Sequence, residues 1–295
     1  MSIVAALKLV DLRPDIDPVD GTVCVHGHRD ARSLGASSAD FAALELALRL
    51  GDQWNRDVVA VTAGPSEAKP LLREARAMGA ARAVRIELPT GGPHGSAASA
   101  TVAAALASVL GPDGSEPAEL VLCGSASVDR GSGSVPAFLA EELDAAQALG
   151  LMELESSIPD EIRAVRRLDG GRRERLRVAA PAVLSVEAGV RVGGDRVAPR
   201  RASFTALLDT AEVTTALAPA PRDGFSGFPH RSGPFRARPR ALPSPDPSRS
   251  ARERALTILG TYTAHSPARI VHTDPDAAAA ELLAYLRQHG FLSPS

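Results

Sequence analysis

The sequence has little cysteine, few aromatic residues and no long apolar run. Its two cysteines, Cys24 and Cys123, lie far apart in a chain of 295 residues, which is too large to need disulfides for stability. We therefore expect free thiols and a reducing, cytoplasmic compartment. No apolar stretch reaches the length of a membrane span, and Met1 leads into a strand-like run without the pattern of a secretory signal.

The sequence also gives no support for nucleic-acid binding, for acid–base or nucleophilic catalysis, or for metal binding. The formal net charge of -2 gives no electrostatic reason to expect a nucleic-acid partner. No Ser, His and Asp trio falls on adjacent loops, so the sequence does not predict acid–base or nucleophilic catalysis. Cys24, His26 and His28 are close together, but a single hairpin alternates its faces and offers no fourth ligand, so we expect no metal site.

Short apolar runs alternate with segments of helical period through the first half of the chain. The runs predict buried strands at residues 3–10, 58–62, 83–87 and 120–123. Helices are predicted from Ser37, at residues 66–78 before Gly79, and at residues 97–110 and 135–143. This alternation is typical of a Rossmann-like parallel sheet flanked by helices, the α/β architecture of the adenine nucleotide α-hydrolase-like proteins.

The second half adds hairpins and a tail. Residues 162–167 and 175–178 flank the turn residues Asp169-Gly170-Gly171, and residues 182–186 return to a buried strand. An earlier hairpin strand is predicted at residues 22–26. We expect an α/β nucleotide-binding domain at residues 1–218, a Pro/Arg-rich linker or arm at 219–250, and an extended C-terminal arm with a terminal helix at 251–295.

A Gly/Ser loop follows the fourth predicted strand of the alternation and precedes a helix. Open parallel sheets bind ligands at the carboxyl ends of their strands, and helix N-termini hold phosphate through backbone amides. The loop is therefore a candidate phosphate site, with a flexible connector as the alternative because it has no lysine motif. Its candidate residues are Gly124, Ser127, Asp129, Gly131, Ser132, Gly133, Ser134 and Val135.

The run AVRRLDGGRRERL at residues 164–176, followed by PAVLS at 181–185, resembles the signature of the electron transfer flavoprotein β subunit. A generic hairpin entering a core strand is the alternative reading of this run alone. The similarity continues in chain order at residues 4–8, 43–50, 61–65, 75–83, 120–124 and 280–290. The composition and the divergent loops are similar to an actinobacterial branch of the family that is associated with the redox peptide mycofactocin.

The resemblance implies an electron carrier rather than an enzyme. It implies that the Gly/Ser loop grips the phosphates and ribose of AMP, or of a second FAD in members that bifurcate electrons. It also implies that Ala6, the helix start from Ser37 to Asp40, and Ala63 line the adenine and ribose. The family's Asn-Pro at the helix start is Ser37-Ser38 here, and its Thr-Gly-Gln after the loop is Val135-Pro136-Ala137.

The resemblance also implies partners. An α subunit would hold the main FAD, which this chain helps to enclose, and the C-terminal arm would wrap around that subunit. Electrons would come from dehydrogenases and pass to a quinone reductase or another acceptor. Residues 199–208 are similar to the loop that docks on dehydrogenases, with Phe204 at the anchor position, although a buried helix start is the alternative there. The rival function is a free-standing adenine-nucleotide sensor or hydrolase of similar fold.

Overall fold

The computed structural model describes residues 2–17, 23–24, 33–88, 98–202, 206–207, 212–217, 245–258, 274–288 and 291–292. The chain divides into two compact units, Met1–Phe235 and Arg236–Ser295. Phe204, His26, His28 and most of the predicted linker, residues 219–244, lie outside the described residues.

A ten-stranded, mostly parallel sheet forms the centre of the first unit. Its strands follow the order β11-β10-β9-β12-β8-β1-β6-β7-β14. The strands β10 (Glu161–Arg167) and β11 (Arg173–Ala179) lie at one end of this order, and β13 (Asp195–Arg196) pairs with β12 at the side. The parallel strands are β1 (Ser2–Ala6), β6 (Val58–Ala63), β7 (Arg82–Glu87), β8 (Ala118–Gly124), β9 (Ala146–Ile158), β12 (Ala182–Val192) and β14 (Thr214–Leu217). The apolar runs of β1, β6, β7 and β8 suit strands that are buried on both faces of the sheet. The predicted α/β class is confirmed.

Helices cover both faces of this sheet. The helices α1 (Ser38–Trp54) and α2 (Lys69–Met78) pack against one face, where a large core includes Ile3, Leu44 and Leu122. The helices α3 (Ser99–Leu110) and α4 (Val135–Glu142) pack on the opposite face against Val4 and Val121. A short 3-10 helix, Ser66–Ala68, leads into α2. The sheet is therefore the middle of three layers.

The ends of the helices follow from their sequences. Ser37 caps α1 and forms a capping box with Asp40, in which each side chain accepts the other residue's backbone N–H. Gly79 ends α2 with a φ of 124°, a conformation that favours glycine. Trp54 is buried at the end of α1, and its Nε1–H donates to Ser156 Oγ at 2.9 Å. The indole therefore packs in the core and is not available for stacking on a flavin.

An antiparallel extension continues the sheet beyond β9. The strands β10 (Glu161–Arg167) and β11 (Arg173–Ala179) form a hairpin around the 3-10 turn Asp169–Gly171. The prediction of this hairpin is confirmed, and β12 runs six residues past the predicted end of its strand. The short β13 (Asp195–Arg196) turns back on β12.

One prediction about a strand was wrong. The first strand was expected to span residues 3–10, but β1 ends at Ala6 and the chain continues into β2 (Val10–Asp11), which pairs with β5 (Leu34–Gly35) outside the main sheet. Leu7 and Val10 are nevertheless buried, so the second half of the apolar run packs in the core without pairing in the main sheet. The hairpin strand expected at residues 22–26 is confirmed where the structure describes it: β4 (Val23–Cys24) pairs antiparallel with β3 (Asp15–Ile16).

The strand β9 was not predicted from the sequence. This strand contains Gly150 at a φ of 69°, and the backbone N–H of Gly150 donates to Ser185 Oγ at 2.9 Å. The pairing of β9 with β12 shifts register near this point. Because a bulge interrupts the two-residue period, the pattern of a strand is hidden in the sequence.

The second unit contains α5 (Ala251–Ile258), which was not predicted, and α6 (Pro275–Gln288), which was. Asp274 caps α6 by accepting the N–H groups of Asp276 and Ala277. Neither helix contains a buried residue, and Leu282, Leu283 and Tyr285 are exposed. Within the described ranges, no helix is both long and apolar enough to cross a membrane.

A buried carboxylate on α1 anchors the segment that follows β13. Glu45 Oε2 accepts hydrogen bonds from the backbone N and the Nε of Arg200, each at 3.0 Å, and Glu45 Oε1 accepts one from Arg49 at 2.8 Å. Burial opposes the ionisation of Glu45, but these bonds and the charge of Arg200 outweigh it and lower the pKa of the carboxyl. The segment before residue 203 is therefore fixed on α1.

We expect the replacement Glu45→Gln to lower the free energy of unfolding by about 2 kcal/mol at pH 7, because it removes charge-assisted hydrogen bonds to Arg200 and Arg49. The folded pKa of Glu45 lies below its ordinary value of 4.5, so its contribution is complete above that pH and is lost as the pH falls. Urea unfolding at several pH values measures this. A stability gap between the two proteins that is as large at pH 3 as at pH 7 would contradict it.

Candidate functional site

The order of the strands creates a crevice beside β1. The chain steps from β1 to β6 and then to β7 on one side, and returns to place β8 on the other side of β1. The connections through α1 and α2 and those through α3 and α4 lie on opposite faces, so the loops after β1 and β8 diverge. Such a switch point, at the carboxyl ends of the strands, is where open α/β sheets bind ligands.

An ion pair joins the two loops across this crevice. Lys8 Nζ, in the loop after β1, lies 2.6 and 2.7 Å from the two carboxylate oxygens of Asp129, in the loop after β8. It also donates to Ser127 Oγ at 3.2 Å. Burial opposes the ionisation of Asp129, but the hydrogen bonds from Lys8 and Ser127 lower the pKa of its carboxyl. The Asp129 carboxyl is therefore ionised at neutral pH.

The Lys8–Asp129 pair does little for stability. The two side chains are 39% and 36% exposed, and exposed pairs contribute about 1 kcal/mol or less. The pair instead determines the relative position of the two loops, because Lys8 and Asp129 are 121 residues apart in the sequence. The lysine places a positive charge beside the glycine-rich loop.

Two glycines shape that loop. Gly131 and Gly133 have φ values of 63° and 59°, in the left-handed region that favours glycine. A Cβ at Gly133 would lie 2.5 Å from the carbonyl oxygen of Ser125, whereas one at Gly131 would meet only the carbonyl oxygen of Ser127 at 4.0 Å. The loop therefore closes on itself at Gly133, and the chain reaches α4 by a path that a larger residue would block.

The N-terminus of α4 lies at the end of this loop. Ser134 occupies the cap position, but its side chain does not cap the helix; its Oγ donates to Ser99 Oγ at 2.9 Å and lies 3.1 Å from Ser132 Oγ. Ser99 is the first residue of α3, which also has no side-chain cap. Three hydroxyl groups and the starts of two helices thus converge, which suits an anion.

The N-terminus of α1 is different, because its polar groups are already engaged. Asp40 Oδ2 accepts from the backbone N of Ser37 at 3.1 Å and from Ser37 Oγ at 2.7 Å. Burial raises the pKa of Asp40, and bonds from Ser37 and from the backbone of Gly124, together with the charge of Lys8, oppose that rise. The structure thus places Ser37 and Asp40 in the packing between α1 and β8 rather than with free side chains facing the crevice.

Gly124 is required by the same contact. A Cβ at this position would lie 2.7 Å from Asp40 Oδ1 and 3.0 Å from the backbone N of Asp40. The preceding residue, Cys123, is buried, and this burial raises the pKa of its thiol to about 12. Cys123 is therefore a packing residue without thiolate reactivity at neutral pH.

Ala6 and Ala63 complete the crevice at the ends of β1 and β6. Both are partly exposed, and neither carries a side chain that would obstruct a flat ring. The structure thus brings Ala6, Ala63, Gly124 and the loop to residue 135 to one edge of the sheet. Phe204, the predicted partner contact, lies outside the described residues.

Sequence reasoning missed Lys8 and Ser99. Lys8 follows a strand and looked like the end of an apolar run, while Ser99 lies far from the Gly/Ser loop in the sequence. The sheet order brings each of them to the loop, which no local pattern shows. Among the described residues, no group of three or more His, Cys, Asp or Glu side chains is placed to hold a metal ion.

We expect Gly133→Ala to destabilise the protein more than Gly131→Ala. Both substitutions put alanine at a left-handed φ, which costs about 1 to 2 kcal/mol, but only the first also drives a Cβ against a backbone carbonyl. Thermal and urea unfolding of the two variants measure the difference. Equal destabilisation would show that the close approach of Gly133 to Ser125 does not constrain the loop.

Comparison with known proteins identifies the family. No curated protein sequence matches the chain. The electron transfer flavoprotein domain, however, matches residues 29–215, which include most of the sheet, the glycine-rich loop and the antiparallel extension. Proteins with this domain are electron carriers that associate with FAD. The chain therefore belongs to the electron transfer flavoprotein domain family.

Proposed function

We propose that the chain is the β subunit of a heterodimeric electron transfer flavoprotein. In this proposal it binds AMP, or a second FAD, in the crevice beside β1 and helps to enclose the FAD held by an α subunit. The observation that carries the proposal is the crevice itself, where the glycine-rich loop, the uncapped start of α4 and Lys8 meet at the switch point of the sheet.

The residues present fit a nucleotide. Phosphate needs backbone N–H groups, hydroxyls and a positive charge, and the loop supplies Ser132, Ser134 and the start of α4 beside Lys8. Adenine needs a flat apolar surface, for which Ala6 and Ala63 leave room. Because Ser37 and Asp40 are bonded to each other, we assign them to shaping the crevice through Gly124.

The second unit supports the assignment as a β subunit. Its helices α5 and α6 have no buried residue, and the leucines on α6 expose an apolar stripe to solvent. An amphipathic helix gains its stability by burying such a stripe. We infer that this arm packs on the α subunit, as the family resemblance implies. The residues after the matched domain, 216–295, would then serve binding rather than a separate activity.

The flavin supplies the redox chemistry, and this chain supplies position and surroundings. The proposed donors are dehydrogenases, which dock near Phe204, and the acceptor is a quinone reductase or another protein. The Arg200–Glu45 anchor fixes the polypeptide just before that segment. We propose a cytoplasmic heterodimer that acts as an electron carrier and not as an enzyme.

Replacing Lys8 tests the phosphate end of the site. We expect Lys8→Met to weaken AMP binding about tenfold, because a charge-assisted interaction is lost and the loop is released from β1. Lys8→Arg keeps the charge and is the matched control. Isothermal titration of the full chain with AMP and with adenosine measures this, and the affinity for adenosine is expected to change little. Equal losses for the two ligands would place Lys8 away from the phosphate.

Nucleotide analysis tests the function. We expect co-expression with a candidate α subunit to give a yellow heterodimer that releases one FAD and one AMP on denaturation, or two FAD if the crevice holds the second flavin. A chain that remains monomeric and free of flavin beside every candidate α subunit would refute the β-subunit proposal. It would favour instead the rival function, a free-standing adenine-nucleotide sensor or hydrolase.

A further inference from the structure

A buried arginine on β7 is not explained by the fold. Arg85 is only 5% exposed, in a parallel sheet whose buried side chains are mostly apolar. Burying a guanidinium is costly unless its hydrogen bonds are satisfied. Its Nε is buried and has no hydrogen-bond partner among the described residues, and the same is true of Oγ1 of Thr62, the residue opposite it on β6.

The ion pair of Arg85 does not compensate for this burial. Its Nη2 lies 3.1 Å from Glu87 Oε2, but the Glu87 side chain is 54% exposed and remains hydrated. Such a half-exposed pair contributes little net free energy. An apolar side chain of similar length would fill the same space without the cost of burying a charge. The stability of the sheet therefore does not explain why this buried position holds an arginine.

The other contact of Arg85 points to the crevice. Its Nη1 donates to the carbonyl oxygen of Gly64 at 3.0 Å, and the backbone N of Gly64 donates to the carbonyl oxygen of Ile86 at 2.9 Å. Both polar backbone groups of Gly64 are thus held by consecutive residues of β7. Gly64 directly follows Ala63, the last residue of β6, and begins the turn into α2.

We propose that Arg85 is a positioning residue for nucleotide binding: it holds the turn after β6 in the conformation that receives the adenosine half of the ligand. This inference rests on the proposed nucleotide site and assigns its two ends to different residues. Lys8 and the glycine-rich loop serve the phosphate, whereas Arg85, acting through Gly64, serves the base and ribose beside Ala63.

Variants of Arg85 in the full-length chain test the proposal, with AMP and adenosine as titrants. Arg85→Met loses the bond to Gly64, and we expect about tenfold weaker binding of both ligands. The ratio of the two affinities is expected to stay constant, because the phosphate end is untouched. Arg85→Lys keeps a charged donor and is expected to recover most of the affinity. Glu87→Gln leaves the Arg85–Gly64 bond in place and is expected to bind both ligands like the wild type.

Urea unfolding of each variant separates positioning from folding. Wild-type affinity for AMP and adenosine in Arg85→Met would overturn the proposal, and so would a selective loss of AMP affinity. A loss of affinity that matches a loss of folded protein and is not recovered by Arg85→Lys would give Arg85 a structural role only. A wild-type chain that binds neither ligand would overturn the nucleotide site itself, and the role of Arg85 with it.

Discussion

The placement of β1 between β6 and β8 is the constraint on which the rest of the structure depends. Parallel pairing on both edges buries every residue of this strand except Ala6, so the chain must leave the sheet at Ala6 and return twice, once on each side. The two returns put α1 and α2 on one face and α3 and α4 on the other. A crevice at the ends of β1 and β8 is the geometric consequence, and it exists before any ligand binds.

Polar contacts refine this crevice without stabilising it greatly. The Lys8–Asp129 pair joins the two diverging loops, and the Asp40 side chain joins the start of α1 to the backbone of Gly124. Arg85 adds a third connection, from β7 to the turn after β6. Each of these contacts links elements that are remote in sequence, and each has a group near the edge of the sheet where we place the nucleotide. We regard them as parts of one binding surface.

The sequence predicted the layered fold and the glycine-rich loop because both follow from local patterns. Apolar runs such as residues 58–62, caps such as Ser37 and Gly79, and the hairpin at Asp169–Gly171 all lie within short segments. The strand β9 was not predicted because the bulge at Gly150 interrupts the two-residue alternation of side chains that indicates a strand. The roles of Lys8, Ser99 and Arg85 were not predicted because only the order of the strands brings these residues to the loops that they contact. The family was predicted from the resemblance of the sequence to known members, because the geometry of the crevice alone does not identify a family.

The most direct test of this account is the position of the nucleotide. A crystal structure of the full chain grown with AMP would locate every atom of the ligand. We predict a phosphate bound between Ser132, Ser134 and Lys8, with the adenosine against Ala6 and Ala63. The central claim would be contradicted by AMP bound elsewhere on the chain. It would also be contradicted if the crevice beside the Lys8–Asp129 pair held no nucleotide at saturating AMP.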